Sequence, residues 1–301
     1  MTTKFQVVDG TGRHEELRQQ IEDILIRVAP LVKPTTGLEL PGVVTFQVVP
    51  VEKARATLSA DMADRARIYA DLVPRWRRPF VTLSSAVLLR LLHLRTAVLC
   101  EFLVMAATTT VPGTGESVTV VTPEALHHTG ILTDERYLTA LVFHELVHQV
   151  QNWASGHREN WIANRAMTLL HAGGIDFLEE GHAYWADQIF TQRLYGTPVD
   201  LRDAPKSAQY QKHARRGASS TGPVGPSLGT YVVGRFLVAS AVETVGAPSF
   251  NQVWTDHWML PSKGEVAEAR TALAADEPTT RPRGWASRLQ RATSRGPSAP
   301  A

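Results

Sequence analysis

Residues 144–148 read His-Glu-Leu-Val-His. On an α-helix, side chains four residues apart share one face, one turn apart. His144 and His148 can therefore reach the same ion. Glu145 falls beside that ion rather than beneath it, where it can take a proton from a water that the metal has acidified. The five residues sit within Leu138-Thr-Ala-Leu-Val-Phe-His-Glu-Leu-Val-His-Gln-Val, which is apolar on nearly every side. Burying an unpaired polar group costs roughly 1–3 kcal/mol, and a bound metal removes that cost. Two core histidines with ordinary hydrogen bonds are the competing reading. Zinc is the ion that two imidazoles and a carboxylate favour, and other divalent ions fit the same donors.

Two histidines leave a catalytic zinc one protein ligand short. The candidate lies in Phe177-Leu-Glu-Glu-Gly-His-Ala-Tyr-Trp-Ala-Asp187. Gly173 and Gly174 break what precedes it. Asp176, with Glu179 three residues on, reads as an N-cap and third helical residue, which gives Glu179 a structural task. Glu180 points about 100° away on the helix and is available to the metal. Gly181 carries no side chain, so another backbone can come close. Asp187 shares the face of Glu180 and can orient a ligand histidine from behind. His182 projects from a different face, and His157 and His171 read as surface or capping residues.

These residues resemble the gluzincin metallopeptidases, in which HExxH is completed by a glutamate on a downstream helix. That glutamate commonly sits in Glu-Gly-x-Ala followed by aromatics, as in Glu180-Gly-His-Ala-Tyr-Trp here. The resemblance implies a zincin-like α+β fold, a small sheet on a mainly helical core, with His144, His148 and Glu180 on zinc and Glu145 as base. It also implies a peptide or protein substrate. Downstream, Tyr231-Val-Val-Gly-Arg-Phe-Leu-Val and the stretch from Trp254 to Pro261 are similar to the C-terminal helices of bacterial members. By that likeness Tyr231 is the candidate for stabilising an oxyanion, and a tyrosine that merely packs at a helix start is the alternative. The likeness covers roughly residues 117 to 260. It departs in the 31 residues between His148 and Glu180, where an extra turn or helix over 159–171 must fit. No substrate-amine motif of the aminopeptidase kind is present.

The elements that must hold these side chains follow from periodicity. Leu17, Ile21, Ile24, Val28 and Leu31 alternate spacings of four and three, predicting a helix over 14–32 that Pro34 and the Gly37/Pro41/Gly42 cluster end. Residues 43–51 and 117–122 are short and β-branched, hence strands. Helices are expected over 52–73, 84–107, 133–153, 176–194 and 231–245. Residues 202–229 are rich in Gly, Pro, Ser and basic side chains, including Lys206, Lys212, Arg215 and Arg216, and read as a long loop, either a connector or a flap over a cleft. From about Asp276 the chain is Pro, Arg, Ser and Thr with few apolar residues, and reads as a disordered basic tail. The expected organisation is an N-terminal part of the catalytic unit over 1–116, a catalytic core over 117–275 and the tail over 276–301.

Bulk properties narrow the function classes. The chain has 301 residues, 44% of them hydrophobic, enough to bury one sizeable core. A net charge of +2 is too small to mark a nucleic-acid binder. The single cysteine, Cys100, cannot form an internal disulfide and reads as a small buried hydrophobe. The N-terminus lacks the apolar run of a signal peptide. The most membrane-like stretch, 80–111, is interrupted by Arg90, His93, Arg95 and Glu101 and reads as a helix buried in a core. These points suggest a cytoplasmic protein without membrane association. The rival function is a catalytically silent, metal-stabilised structural or regulatory module, with 202–229 and the tail binding a partner.

Overall fold

The computed structural model describes residues 3–80, 82, 101–102, 104–111, 114, 116–156, 174–219, 228–275 and 283–294. Cys100, His157, His171, the expected helix over 159–171 and most of 80–111 lie outside the described residues.

The architecture is mixed α and β. Strands β1 (Lys4–Asp9), β2 (Val43–Val48), β3 (Ala106–Thr110) and β4 (Ser117–Val121) form one sheet in the order β1-β2-β4-β3. β1 and β4 both run parallel to β2, and β3 returns antiparallel to β4 as an edge strand. β1 and β3 are not legible in the periodicity. β1 buries only Val7, so it lacks the run of alternate apolar residues that marks a strand. β3 is Ala-Ala-Thr-Thr-Thr, and its first residues continue an apolar run that reads as the end of a helix over 84–107; the strand corrects that reading at 106–107.

Helix α1 (Glu15–Val28) presents Leu17, Ile21, Ile24, Leu25 and Val28 to the core. A 3₁₀ turn with Pro30 follows, and α2 (Val32–Thr36) carries the chain on to Gly37, whose φ of 74° closes it. Pro34 is tolerated in the first turn of α2, where its missing N–H costs no bond. α3 (Val51–Leu72) and the short α4 (Pro123–Thr129) precede the two helices that carry the chemistry, α5 (Glu135–Ala154) and α6 (Ile175–Tyr195). Asp134 caps α5 by accepting from the Arg136 amide at 2.9 Å. α6 begins after Gly174, with Asp176 inside the first turn rather than at the N-cap. A Cβ on Gly174 would lie 2.0 Å from the Pro261 carbonyl oxygen, so that crowded site belongs to glycine.

The stretch expected as a loop over 202–229 contains a helix, α7 (Ala208–Ser219), with residues 220–227 outside the described set. Beyond it come α8 (Leu228–Val245), α9 (Ala247–Phe250) and α10 (Lys263–Ala274), the last opened by a Ser262/Glu265 capping box. The expected disordered tail is corrected over α11 (Arg283–Ser294), where Trp285, Ala286 and Leu289 are buried. Few apolar residues remain there, but they sit three and four apart, enough for one helix face. One hydrophobic cluster runs from Val7 to Leu289, so the first and last described elements share a core. No helix among the described residues is long and apolar enough to cross a membrane.

Candidate metal centre

α5 lies between the sheet and α6 and is buried on most of its circumference. Its polar residues fall in two stripes. His144, His148 and Gln151 face α6, while Glu145, Gln149 and Asn152 face the sheet. Phe143 stacks on Phe190 of α6 with ring centroids 4.0 Å apart, fixing the spacing of the two helices.

Three acceptor atoms converge between α5 and α6. His144 Nε2 and His148 Nε2 are 3.2 Å apart, and Glu180 Oε2 lies 3.5 Å from the first and 3.6 Å from the second. The imidazoles meet edge to face at 80°. Ligands at tetrahedral angles about 2.0–2.1 Å from one zinc ion would be about 3.3–3.4 Å apart. The triangle's edges of 3.2, 3.5 and 3.6 Å are within about 0.3 Å of those dimensions.

Tautomers follow from what lies behind each ring. His144 Nδ1 is 3.0 Å from Asp187 Oδ2, so the ring donates there and its Nε2 holds a lone pair. His148 Nδ1 is 2.9 Å from Gln151 Oε1. The Gln151 amide orientation is set at its other end, where Nε2 donates to the Glu179 carbonyl at 3.0 Å and approaches His182 Nδ1 at 3.1 Å. A carbonyl can only accept. Gln151 Oε1 therefore faces His148, whose Nδ1 must carry the proton and whose Nε2 is likewise a lone pair. Glu180 Oε2 is buried and accepts no hydrogen bond. Two lone pairs and an unsatisfied carboxylate oxygen aimed at one point fit a cation.

Electrostatics favour a cation at the same point, either as a proton on the imidazoles or as a metal that would displace that proton and take the Nε2 lone pairs. Burial works against charge on His144, but the Asp187 and Glu180 carboxylates outweigh it and raise its pKa to about 10. Burial likewise opposes charge on His148, and Glu180 reverses the balance upward. Burial pushes Glu180 up, yet the two imidazoles hold it far below the usual carboxylate range. The pocket stabilises positive charge. His182 is different: burial lowers it to about 3, so it stays neutral. It is packed near Trp185, Phe250 and Trp254, outside the triangle. His144, His148 and Glu180 thus form a cluster that could hold a metal ion.

The other predicted residues surround it. Glu145 is buried and accepts from the Thr108 hydroxyl of β3 at 2.8 Å. Tyr231 of α8 has its ring 6.2 Å from His144. Burial, the Glu180 and Glu145 charges and a hydrogen bond with Glu180 push its phenol well above the ordinary value. α8 reaches the site because glycine meets glycine. A Cβ on Gly181 would lie 2.2 Å from the Gly234 carbonyl carbon, and one on Gly234 2.2 Å from the Phe177 carbonyl oxygen. Sequence reasoning missed Thr108, Gln149, Gln151 and Asn152. The three α5 residues continue the motif's two stripes toward the helix end, Gln151 beyond His144 and His148, Gln149 and Asn152 beyond Glu145, a polar extension inside an apolar helix that could have marked them.

No protein-family model matches the sequence, and no curated protein matches it at a significant level. Among solved structures the chain is similar to a protein of Chloroflexus aurantiacus, described as a presumed hydrolase with a novel fold. The TM-score is 0.52 with 15% sequence identity, over 93% of this chain and 92% of the other. At that identity the likeness speaks to the fold alone.

Proposed function

We propose that this protein is a zinc-dependent metallohydrolase of zincin-like type that cleaves peptide bonds. The observation that carries the reading is the triangle of three lone-pair atoms on His144, His148 and Glu180, with Glu145 beside it on the same helix. The hydrolase description of the Chloroflexus protein agrees in reaction class.

A divalent ion in that triangle supplies Lewis acidity and brings a water's pKa down toward neutrality. The chain's own groups do the rest. Asp187 and Gln151 hold the two imidazoles in the tautomer that offers Nε2. Glu145 receives the proton of the nucleophilic water and later delivers it to the leaving amine. It is adjacent to His144 in sequence on the same helix, and its Oε2 is held by Thr108 of β3. Tyr231, its phenol kept neutral, offers an O–H to the oxygen on which negative charge develops. Burial of His144 and Glu145 keeps the site poor in water, which strengthens these interactions.

The experiment has two stages. Metal content of the purified protein is compared with that of His148→Ala, which should lose stoichiometric zinc. Quenched-fluorescent peptides then report hydrolysis by the zinc-loaded protein and by Glu145→Gln. The variant should keep its zinc and lose about 10²–10⁴-fold in rate, the range of general acid–base catalysis. Undiminished turnover by Glu145→Gln removes Glu145 from the chemistry. A zinc-loaded wild type that cleaves no peptide returns the site to a structural or regulatory role.

A further inference from the structure

Glu145 does not stand alone against the sheet. Thr108 Oγ1 lies 2.8 Å from Glu145 Oε2, 3.2 Å from the Glu145 carbonyl and 2.7 Å from Thr119 Oγ1. Thr108 and Thr119 are register partners on β3 and β4, which brings their side chains together. Gln149, one turn after Glu145, donates from Nε2 to Thr119 Oγ1 at 2.9 Å and to the Thr45 carbonyl at 3.0 Å.

Each hydrogen in this chain has one consistent place. The Thr45 carbonyl can only accept, so the nitrogen end of Gln149 faces the sheet. Thr119 then accepts from Gln149, and its own hydrogen is available to Thr108. An ionised Glu145 can only accept, so Thr108 gives its hydrogen to Oε2. The donations run one way, from Gln149 to Thr119 to Thr108 to Glu145, and end on one oxygen of the carboxylate.

We infer that Thr108 is the positioning residue for Glu145, holding Oε2 against the sheet edge and assigning proton transfer to Oε1. The inference rests on Glu145 being the general base. Nothing in the HExxH pattern requires it, because Thr108 comes from a strand 37 residues earlier. A glutamate has three side-chain torsions, and one charge-assisted hydrogen bond at its tip removes most of that freedom.

The test uses Thr108→Val, Thr108→Ser and Thr119→Val in the full chain loaded with zinc. Valine suits a strand, so folding should be retained. Thr108→Val should keep full zinc content and an unchanged KM while kcat falls about tenfold, the rate equivalent of one lost hydrogen bond to a charged group. Thr108→Ser should restore kcat to within about twofold, since it keeps the hydroxyl. Thr119→Val should fall between them. A crystal structure of Thr108→Val should show the Glu145 carboxylate in a different or split position. The inference is overturned if Thr108→Val keeps wild-type kcat with Glu145 unmoved, if Thr108→Ser is as impaired as Thr108→Val, or if Thr119→Val is the worst of the three. Absence of peptide turnover in the wild type would fail the proposed function instead, and the Glu145 position in Thr108→Val would still decide the role of Thr108.

Discussion

Replacing Gly234 or Gly181 by alanine should loosen the metal centre without touching any residue in it. The Cβ of Gly181→Ala would start 2.2 Å from the Gly234 carbonyl carbon and 2.4 Å from its Cα. Carbon atoms in contact sit about 3.5–4.0 Å apart, so α6 and α8 must separate locally by about 1.3 Å or more. The obstacle is backbone, which no rotamer change can relieve. Overpacking of this kind costs about 1–3 kcal/mol, and backbone contact places these variants near the top of that range. That corresponds to a fall in Tm of roughly 3–5 °C in a chain of 301 residues. Glu180 precedes Gly181 directly, and its Oε2 already stands 3.5 and 3.6 Å from the two imidazole nitrogens. An added ångström takes it beyond the edge of a tetrahedral site, so zinc affinity should fall with Tm. The assays are thermal unfolding with and without zinc, and zinc competition against a chromophoric chelator. Gly264→Ala is the control, because its Cβ would meet only Ser262 Oγ, at 3.9 Å. Gly234→Ala and Gly181→Ala with wild-type Tm and zinc affinity would refute the close crossing of the helices.

Asp187→Asn removes the anion behind His144 and should weaken zinc binding by about 10–100-fold while the fold persists, measured by the same competition. Trp285→Ala should destabilise the protein by about 3–5 kcal/mol in urea unfolding, because the indole is fully buried and donates to the Met259 carbonyl at 2.7 Å. Glu265 has its carboxyl pKa raised by burial and lowered further by Arg288 and the Ser262 amide and hydroxyl, with a net fall. Its stabilising effect is therefore complete above the ordinary carboxylate range and disappears on acidification through the depressed value. Glu265→Gln should cost about 1 kcal/mol near neutrality, and the gap from wild type should close as pH falls from the ordinary carboxylate range through the depressed value in acid-unfolding curves.

Much of the candidate centre was legible because helices announce themselves locally. The HExxH pattern and the Glu180-Gly-His-Ala segment each occupy about one turn, so their donors could be assigned before their partners were known. Their convergence in one triangle is a tertiary fact that spacing alone cannot supply. The sheet was harder to read. β2 and β4 are β-branched and mostly buried, whereas β1 is an edge strand with one buried residue and β3 is threonine-rich at the opposite edge. Edge strands need only one apolar face, and short ones carry too few residues to set a period. Asp176 and Glu179 fit a capping box, but α6 starts at Ile175 because Gly174 lies tight against Pro261. Position along a helix was decided there by a contact 87 residues away in sequence. α7 was obscured by composition, since its lysine, arginine and glutamine side chains suit solvent in a loop and a helix alike. Gln151 and Thr108 were missed for another reason: each matters only through the residue it holds.

α11 lies against α8, and its Arg288 donates to the Trp258 and Leu260 carbonyls while Leu289 sits fully inside. On the ribosome these residues emerge long after the helices they cover. Until then the nascent chain leaves part of the interior exposed, a surface that chaperones recognise and that invites aggregation. A chain truncated before residue 283 should therefore bind holdase chaperones and be digested readily by protease, and the chain that includes residues 283–294, once free of the ribosome, should do neither.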